Sequence, residues 1–254
     1  MSEIEIRALK KHYKGGVEAL KTITLNIERG SFFALLGPNG AGKSTLVGIM
    51  TTLIRKDAGD IIIGGLDPEK ETAAIQRYIG AASQENELDP AETPFNLLRF
   101  QGRLFGLHYA ESRERAEELI IQFGLENEKH KKTASLSGGN KRRLHCALAL
   151  VHRPRVLFLD EPTVGMDPLA RETFWHVITS LNHKDGVTIM LTTQYLEEAD
   201  RHASEMAMII DGTIHFQGTV QAFKQNVNAG DDASLEDNYL KYTKSLNNTK
   251  YINS

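Results

Sequence analysis

"LLGPNGAGKST", Leu35 to Thr45, begins in the last two residues of the apolar run "FFALL" and packs three glycines, a lysine and two hydroxyls into eleven residues. Backbone this permissive can turn its N–H groups inward around an anion, because glycine allows positive φ and close approach. The helix-like "KSTLVGIMTTLI" that follows opens with N–H groups lacking intrahelical partners, and its dipole adds positive potential there. Phosphate belongs in such a place. Gly37, Gly42, Lys43 and Ser44 fit G-x-x-x-x-G-K-S/T, the loop in which backbone amides cradle phosphates, lysine reaches the β and γ groups and the hydroxyl ligates magnesium. Chance would produce those four positions in roughly one chain in a hundred of this length. The segment Gly37, Pro38, Asn39, Gly40, Ala41, Gly42, Lys43, Ser44 and Thr45 is therefore read as a nucleoside triphosphate loop.

The whole chain sets the bounds around that loop. Its 254 residues suffice for an α/β domain burying roughly 70 to 75% of its unfolded surface. Thirty basic against thirty-three acidic side chains give a net charge of −3, so no global field draws the protein to nucleic acid. The basic runs "KHKK" (Lys129 to Lys132) and "KRR" (Lys141 to Arg143) are read as solvated surface. A single cysteine, Cys146, excludes an internal disulfide, suits a reducing compartment and is assigned to small-residue core packing. "CALALV" is the longest apolar run, at six residues, against about 20 needed to span a bilayer. "MSEIEIRALK" carries early acids and no signal-peptide core, so a cytoplasmic setting is expected.

Along the chain, "EIEIRAL" and "LKTITLNI" alternate with period two and suggest an antiparallel edge. "SFFALL", "YIGAAS", "VLFLDE", "TIMLTT" and "EMAMIID" read as short strands, several apolar on both faces as buried parallel strands are. Helical stretches between them indicate a layered α/β fold with a largely parallel sheet. From about Asp89 to Arg153 the periodicity is helical, which predicts a helical insertion between two strands of one sheet. "IIDGTIHFQGT" predicts a hairpin turning at Asp-Gly, and the polar end "NNTKYINS" is expected to fray.

Two further segments carry chemistry. "VLFLDEPT", Val156 to Thr163, ends an apolar strand in two acids, and buried carboxylates are costly unless they bind something. Asp160 can hold magnesium directly or through water, and Glu161 is the candidate general base for a water molecule. In "SLSGGNKRR", Ser137, Gly138 and Gly139 precede a helix beginning near Asn140, a second anion-binding N-terminus in one chain. One nucleotide needs two such loops when two chains meet head to tail.

This set of motifs resembles the ATP-binding cassette (ABC) ATPases, with a Walker A loop, an LSGGQ-like signature at Leu136 to Asn140 and a Walker B strand ending at Asp160 and Glu161. The signature ends 20 residues before Asp160, about the separation the family shows. The resemblance runs from Ile4 to about Thr243. It implies a P-loop fold with an N-terminal antiparallel β-subdomain and an inserted helical subdomain. One ATPase domain over residues 1–230 is expected, with 231–254 as an extension. Tyr13 is similar to the aromatic that stacks on adenine, Gln84 to the glutamine that contacts magnesium and the attacking water, and Asp167 to the D-loop aspartate at the dimer interface. Two positions depart from the pattern. Asn140 stands where the signature has glutamine, and Gln194 in "LTTQYLEEAD" stands where most members have a switch histidine. Glutamine can donate a hydrogen bond to the γ-phosphate but cannot carry a proton.

"TTQYLEEAD", "TVGMDPLAR" and "SLEDNYLKYT" resemble the daunorubicin-resistance-type ATPases, single-cassette subunits that energise separate membrane permeases. The implied protein binds ATP and Mg²⁺, dimerises around two nucleotides and drives an integral-membrane permease, as an exporter subunit at the cytoplasmic face. Permease contact is expected after Gln84, through Phe95, Leu98 and Phe105. The competing readings are a soluble ABC ATPase without a transporter, for example in iron–sulfur assembly, and a module that holds ATP without hydrolysing it.

Overall fold

The computed structural model describes residues 1–83, 88–230 and 232–252, with side chains as far as Leu246. Its elements are β1 (Ser2–Tyr13), β2 (Val17–Glu28), β3 (Phe32–Leu36), α1 (Lys43–Met50), β4 (Ala58–Ile63), α2 (Thr72–Tyr78), β5 (Ile79–Ala82), α3 (Pro94–Leu104), α4 (Tyr109–Gln122), α5 (Gly138–Ala149), β6 (Val156–Asp160), α6 (Pro168–Asp185), β7 (Thr188–Thr192), α7 (Leu196–His202), β8 (Glu205–Ile210), β9 (Thr213–Thr219), α8 (Val220–Val227) and α9 (Leu235–Ile252). The strands form a six-stranded sheet ordered β5-β6-β7-β3-β8-β9, parallel except for the β8–β9 hairpin, and a separate antiparallel sheet ordered β2-β1-β4. The helical block α3–α5 lies in sequence between β5 and β6. No helix among the described residues is long and apolar enough to cross a membrane.

Each central strand feeds two apolar layers at once, which is why these strands are apolar at every position. Phe33, Leu35, Phe158, Met190 and Ile209 point to the layer built with α1 and the antiparallel sheet. Phe32, Leu157, Leu159, Ile189 and Leu191 point the other way, into the layer of α3 to α6. Ala34, Leu36, Met206 and Met208 meet α7, α8 and the start of α9. Pairing then fixes the level of the strand ends: Leu35 is opposite Thr192 of β7, and Thr192 is opposite Asp160 of β6. The end of the phosphate-loop strand and the two acids thus fall at one edge of the sheet, its carboxyl edge, where ligands bind in open α/β sheets.

The first two strands form the antiparallel subdomain that the family resemblance implied, a sheet of their own tied to the main sheet by Lys21 N–H to the Gly212 carbonyl (2.8 Å) and by the Gln217 side chain to the Asn26 carbonyl. Two local readings of the sequence need amendment. The third strand of that separate sheet, β4, is the "AGDIII" segment, which the periodicity did not reveal because its strand character comes from pairing with distant β1 (Ile4 opposite Ile63). The run Lys141 to Arg143 is not solvated surface: Arg142 is 3% exposed, and Arg143 donates to the carbonyls of Phe123 (2.7 Å) and Gly124 (3.1 Å).

Cys146 sits on the inward face of α5 with no solvent exposure, and burial pushes its thiol up to about 12. At pH 8 an ordinary cysteine is about one-quarter thiolate. With its raised value, Cys146 should react with a thiol-specific disulfide reagent only as fast as the protein unfolds. Stoichiometric labelling of the native protein within minutes would contradict this burial.

Candidate functional site

The phosphate loop connects β3 to α1 and depends on two glycines. A Cβ on Gly37 would lie 2.1 Å from the Ile209 carbonyl oxygen, so the loop passes β8 with room for hydrogen only. Gly42 adopts φ +106° and occupies the N-cap of α1, with the Ala19 carbonyl 2.6 Å from where a Cβ would stand. A backbone-only cap leaves the first N–H groups of α1 for a bound anion. The Lys43 ammonium donates to the carbonyls of Gly37 (2.7 Å) and Pro38 (3.1 Å). Burial lowers its pKa, opposed in part by the carboxylates of Glu161 and then Asp160. That opposition places the loop lysine and both strand-end acids within electrostatic reach of each other.

The acids are held by β7. Thr192 donates its hydroxyl to Asp160 Oδ1, and the Thr192 carbonyl accepts the Glu161 N–H at 2.9 Å. Glu161 has left-handed backbone, φ +47°, a conformation disfavoured for residues with a Cβ and often stored at functional sites. Its carbonyl accepts from Arg142 Nη2 at 2.7 Å, and Arg142 Nη1 donates to the Ser83 carbonyl at 2.7 Å. Arg142 is the residue that sequence reasoning passed over, hidden in a basic run. Its signal was spacing: Arg142, Cys146 and Ala149 form the i, i+4, i+7 stripe of an inward helix face, and all three are buried.

One cleft of about 510 Å³ is lined by Tyr13 from β1, Asn39, Gly40 and Gly42 from the loop, Lys43, Ser44 and Thr45 from the first turn of α1, and Asp160 and Glu161 at and just after the end of β6. The Tyr13 hydroxyl lies 3.3 Å from Thr45 Oγ1. Ala41 is buried behind the loop and accepts the Gly212 N–H at 3.1 Å. The remaining candidates lie elsewhere. Ser137 caps α5, accepting the Asn140 N–H at 3.2 Å, and is exposed with Gly138, while Gly139 is buried near Met166. Asp167 caps α6, accepting the Ala170 N–H at 2.9 Å, with Pro168 in the first turn. Gln84 lies outside the described residues.

Gln194 is exposed and lines a second cleft of about 650 Å³ between α6 and α7, with Arg171, Trp175, Tyr195 and His202. His202 stacks on Trp175 at 4.4 Å; burial, then nearby Arg201, depress its pKa to about 4. An unfolded histidine titrates near 6.5, so below that pH the unfolded chain binds more protons. The stability His202 contributes is therefore complete above about pH 6.5 and declines as pH falls toward 4. His145 and His152, likewise half-buried, shift the same way, desolvation being the largest cause. In an NMR titration the His202 ring should stay neutral down to about pH 4, and His202→Phe should flatten the acid limb of a stability–pH curve. A ring that titrates near 6.5 would contradict the packing.

A parallel sheet with a glycine-cradled loop and paired acids at neighbouring strand ends defines a P-loop nucleoside triphosphatase. The profile of the ABC transporter family matches residues 20–164. The chain is 41% identical over 229 residues to the doxorubicin resistance ATP-binding protein DrrA of Mycobacterium tuberculosis, covering 90% of this chain and 68% of that one. It is 40% identical over 224 residues to the daunorubicin/doxorubicin resistance ATP-binding protein DrrA of Streptomyces peucetius, covering 88% and 67%. Among solved structures, an ATP-binding subunit of an ABC transporter superposes with a TM-score of 0.86 at 27% identity, over 94% of this chain and 99% of that one. A dimeric ATP-binding cassette in a post-hydrolysis state with ADP and Pi gives 0.78 at 28% identity, over 85% and 98%. The chain belongs to the ABC transporter family, as an ATP-binding subunit with the family's ATPase activity.

Proposed function

We propose that two copies of this chain close around two Mg-ATP, each nucleotide held by the phosphate loop of one copy and Ser137 to Gly139 of the other, and that the cycle drives a separate membrane permease as an exporter. The observation supporting the dimer is the separation inside one chain: the cleft around Lys43 contains no signature residue, although Ser137 and Gly138 are exposed at a helix N-terminus. The resistance named for the relatives supports export. In this reading residues 1–230 form one ATPase domain, with about 89–153 inserted as its helical part and 231–254 as an extension.

Lys43 and the amides of Gly37 to Thr45 bind and orient the phosphates, and Tyr13 carries the base. The Ser44 hydroxyl and the Asp160 carboxylate share that cleft, and both are hard oxygen donors of the kind magnesium takes. The ion, when bound there, neutralises phosphate charge. Glu161 accepts the proton of the attacking water. On resemblance alone, Gln84 joins the magnesium and water, Asp167 lies along the dimer interface, and Gln194 positions nucleotide or water without taking a proton. Glu161→Gln should lower turnover about 100- to 10,000-fold with ATP affinity preserved. Gln194→His should change the rate by less than about tenfold. Steady-state phosphate release alongside binding of a fluorescent ATP analogue measures both, and near-normal hydrolysis by Glu161→Gln would sink the assignment.

Within the stretch after Gln84, the permease contact in this reading moves off Phe95, Leu98 and Phe105, which pack within the protein. Leu98 is fully buried, Phe95 is covered by Lys129 (5.0 Å from its ring centre), and Phe105 stacks on His152 at 3.9 Å. The exposed apolar residues nearby are Leu53 (80%), Leu104 (65%) and Phe100 (60%). Leu53 and Leu104 border a groove of about 510 Å³ between α2 and α3. An apolar patch of this kind suits a protein contact. Leu53→Glu with Leu104→Glu should abolish co-purification of a multi-span membrane protein from detergent-solubilised cells and leave basal ATPase within about twofold. Undiminished recovery of that protein would remove the surface from the proposal.

A further inference from the structure

We infer that Arg142 is a positioning residue for Glu161, holding the strained backbone that aims the carboxylate and tying it to the helix of the signature segment; this rests on reading Glu161 as the base. Three observations carry it. Glu161 is a residue with a Cβ at φ +47°, a conformation the chain keeps only where its surroundings impose it. Both of its backbone polar groups are engaged, the N–H by the Thr192 carbonyl (2.9 Å) and the carbonyl by Arg142 Nη2 (2.7 Å). The guanidinium is 3% exposed and spans to a second carbonyl, that of Ser83 (2.7 Å).

A buried guanidinium with two carbonyl acceptors is a charge-assisted fork of fixed geometry, and rotating the peptide after Glu161 would give up one of its bonds. The Thr192 carbonyl holds the N–H side of that residue and Arg142 its carbonyl side. Arg142 stands five residues after Ser137 on the same helix, so α5 and the carbonyl of Glu161 move together. Its bond to the Ser83 carbonyl fixes the residue immediately before Gln84. One side chain therefore joins the signature helix, the end of β6 and the approach to Gln84. Lysine keeps the charge but offers no rigid fork for two carbonyls.

The test is a double-mutant cycle. Arg142→Lys should lower kcat for ATP hydrolysis about 10- to 100-fold with KM for ATP within about threefold. In the Glu161→Gln background the same change should cause no further loss of residual hydrolysis, because a residue that acts through Glu161 has nothing left to aim. An equal loss in both backgrounds, an unchanged kcat, or ATP affinity lost together with activity would overturn the proposal. Arg142→Gln, shorter and uncharged, is read the same way by melting temperature and kinetics; failure of both variants to fold would also overturn it, by assigning the guanidinium to stability. Failure of the underlying reading is distinct, since it shows as near-normal hydrolysis by Glu161→Gln alone.

Discussion

The register across three parallel strands is the constraint on which the rest depends. Leu35, Thr192 and Asp160 stand at one level of β3, β7 and β6. Below that level the strands are buried on both faces and tolerate no polar side chain without a partner. Above it the chain turns polar at once, into the loop after Leu36, into Glu161 after Asp160 and into Thr193 after Thr192. A slip of one residue would exchange the faces of a whole strand, putting Phe33 or Phe158 into the wrong layer. Hydrophobic sorting thus fixes where the charged groups come together.

At that edge, each charged group is held by a neutral one or by backbone, with the opposite charge close by. Asp160 is held by the Thr192 hydroxyl, Lys43 by two loop carbonyls, and the backbone of Glu161 by Thr192 and Arg142. The lowered pKa of Lys43 reflects this balance: desolvation outweighs the pull of the two acids. A cation kept in such a site gains from anionic ligands, because they offset a desolvation cost already incurred. The glycine loop meets the same requirement with amides. The site was therefore arranged around negative charge before any ligand is considered.

What was legible in the sequence was chemistry carried by contiguous residues. The phosphate loop, the strand ending in two acids, the helix that starts just after Ser137, and the Asp211-Gly212 hairpin each announce themselves within a dozen positions. The illegible part was set by partners far along the chain. β4 is a strand because β1 lies beside it, and three isoleucines between glycines carry no period of their own. Arg142 looked like surface because charge in a run is usually solvated, yet two backbone carbonyls from other segments let it stay inside. Leu98 and Leu104 are chemically alike, and only the packing of α3 against α4 and α5 decides that the first is core and the second is open.

The substitution at Gln194 becomes intelligible in the same terms. Thr192 and Thr193, on opposite faces of the extended chain, each hold a carboxylate: Thr192 donates to Asp160, and Thr193 donates to Glu198 Oε2 at 2.9 Å. Glu198, 6% exposed at the start of α7, also takes the hydroxyl of Thr163, two residues beyond Glu161. Tyr195 N–H closes the turn on Thr193 Oγ1 at 2.9 Å. The backbone on either side of residue 194 is therefore fixed by buried hydrogen bonds, while its own side chain remains exposed. A position held this way can present a hydrogen-bond donor at a defined place, which an amide does as well as an imidazole. It cannot supply an ionisable group, which is why the proposed proton transfer is assigned to the acid that follows β6, whose left-handed backbone is held on its N–H side by Thr192 and on its carbonyl side by Arg142.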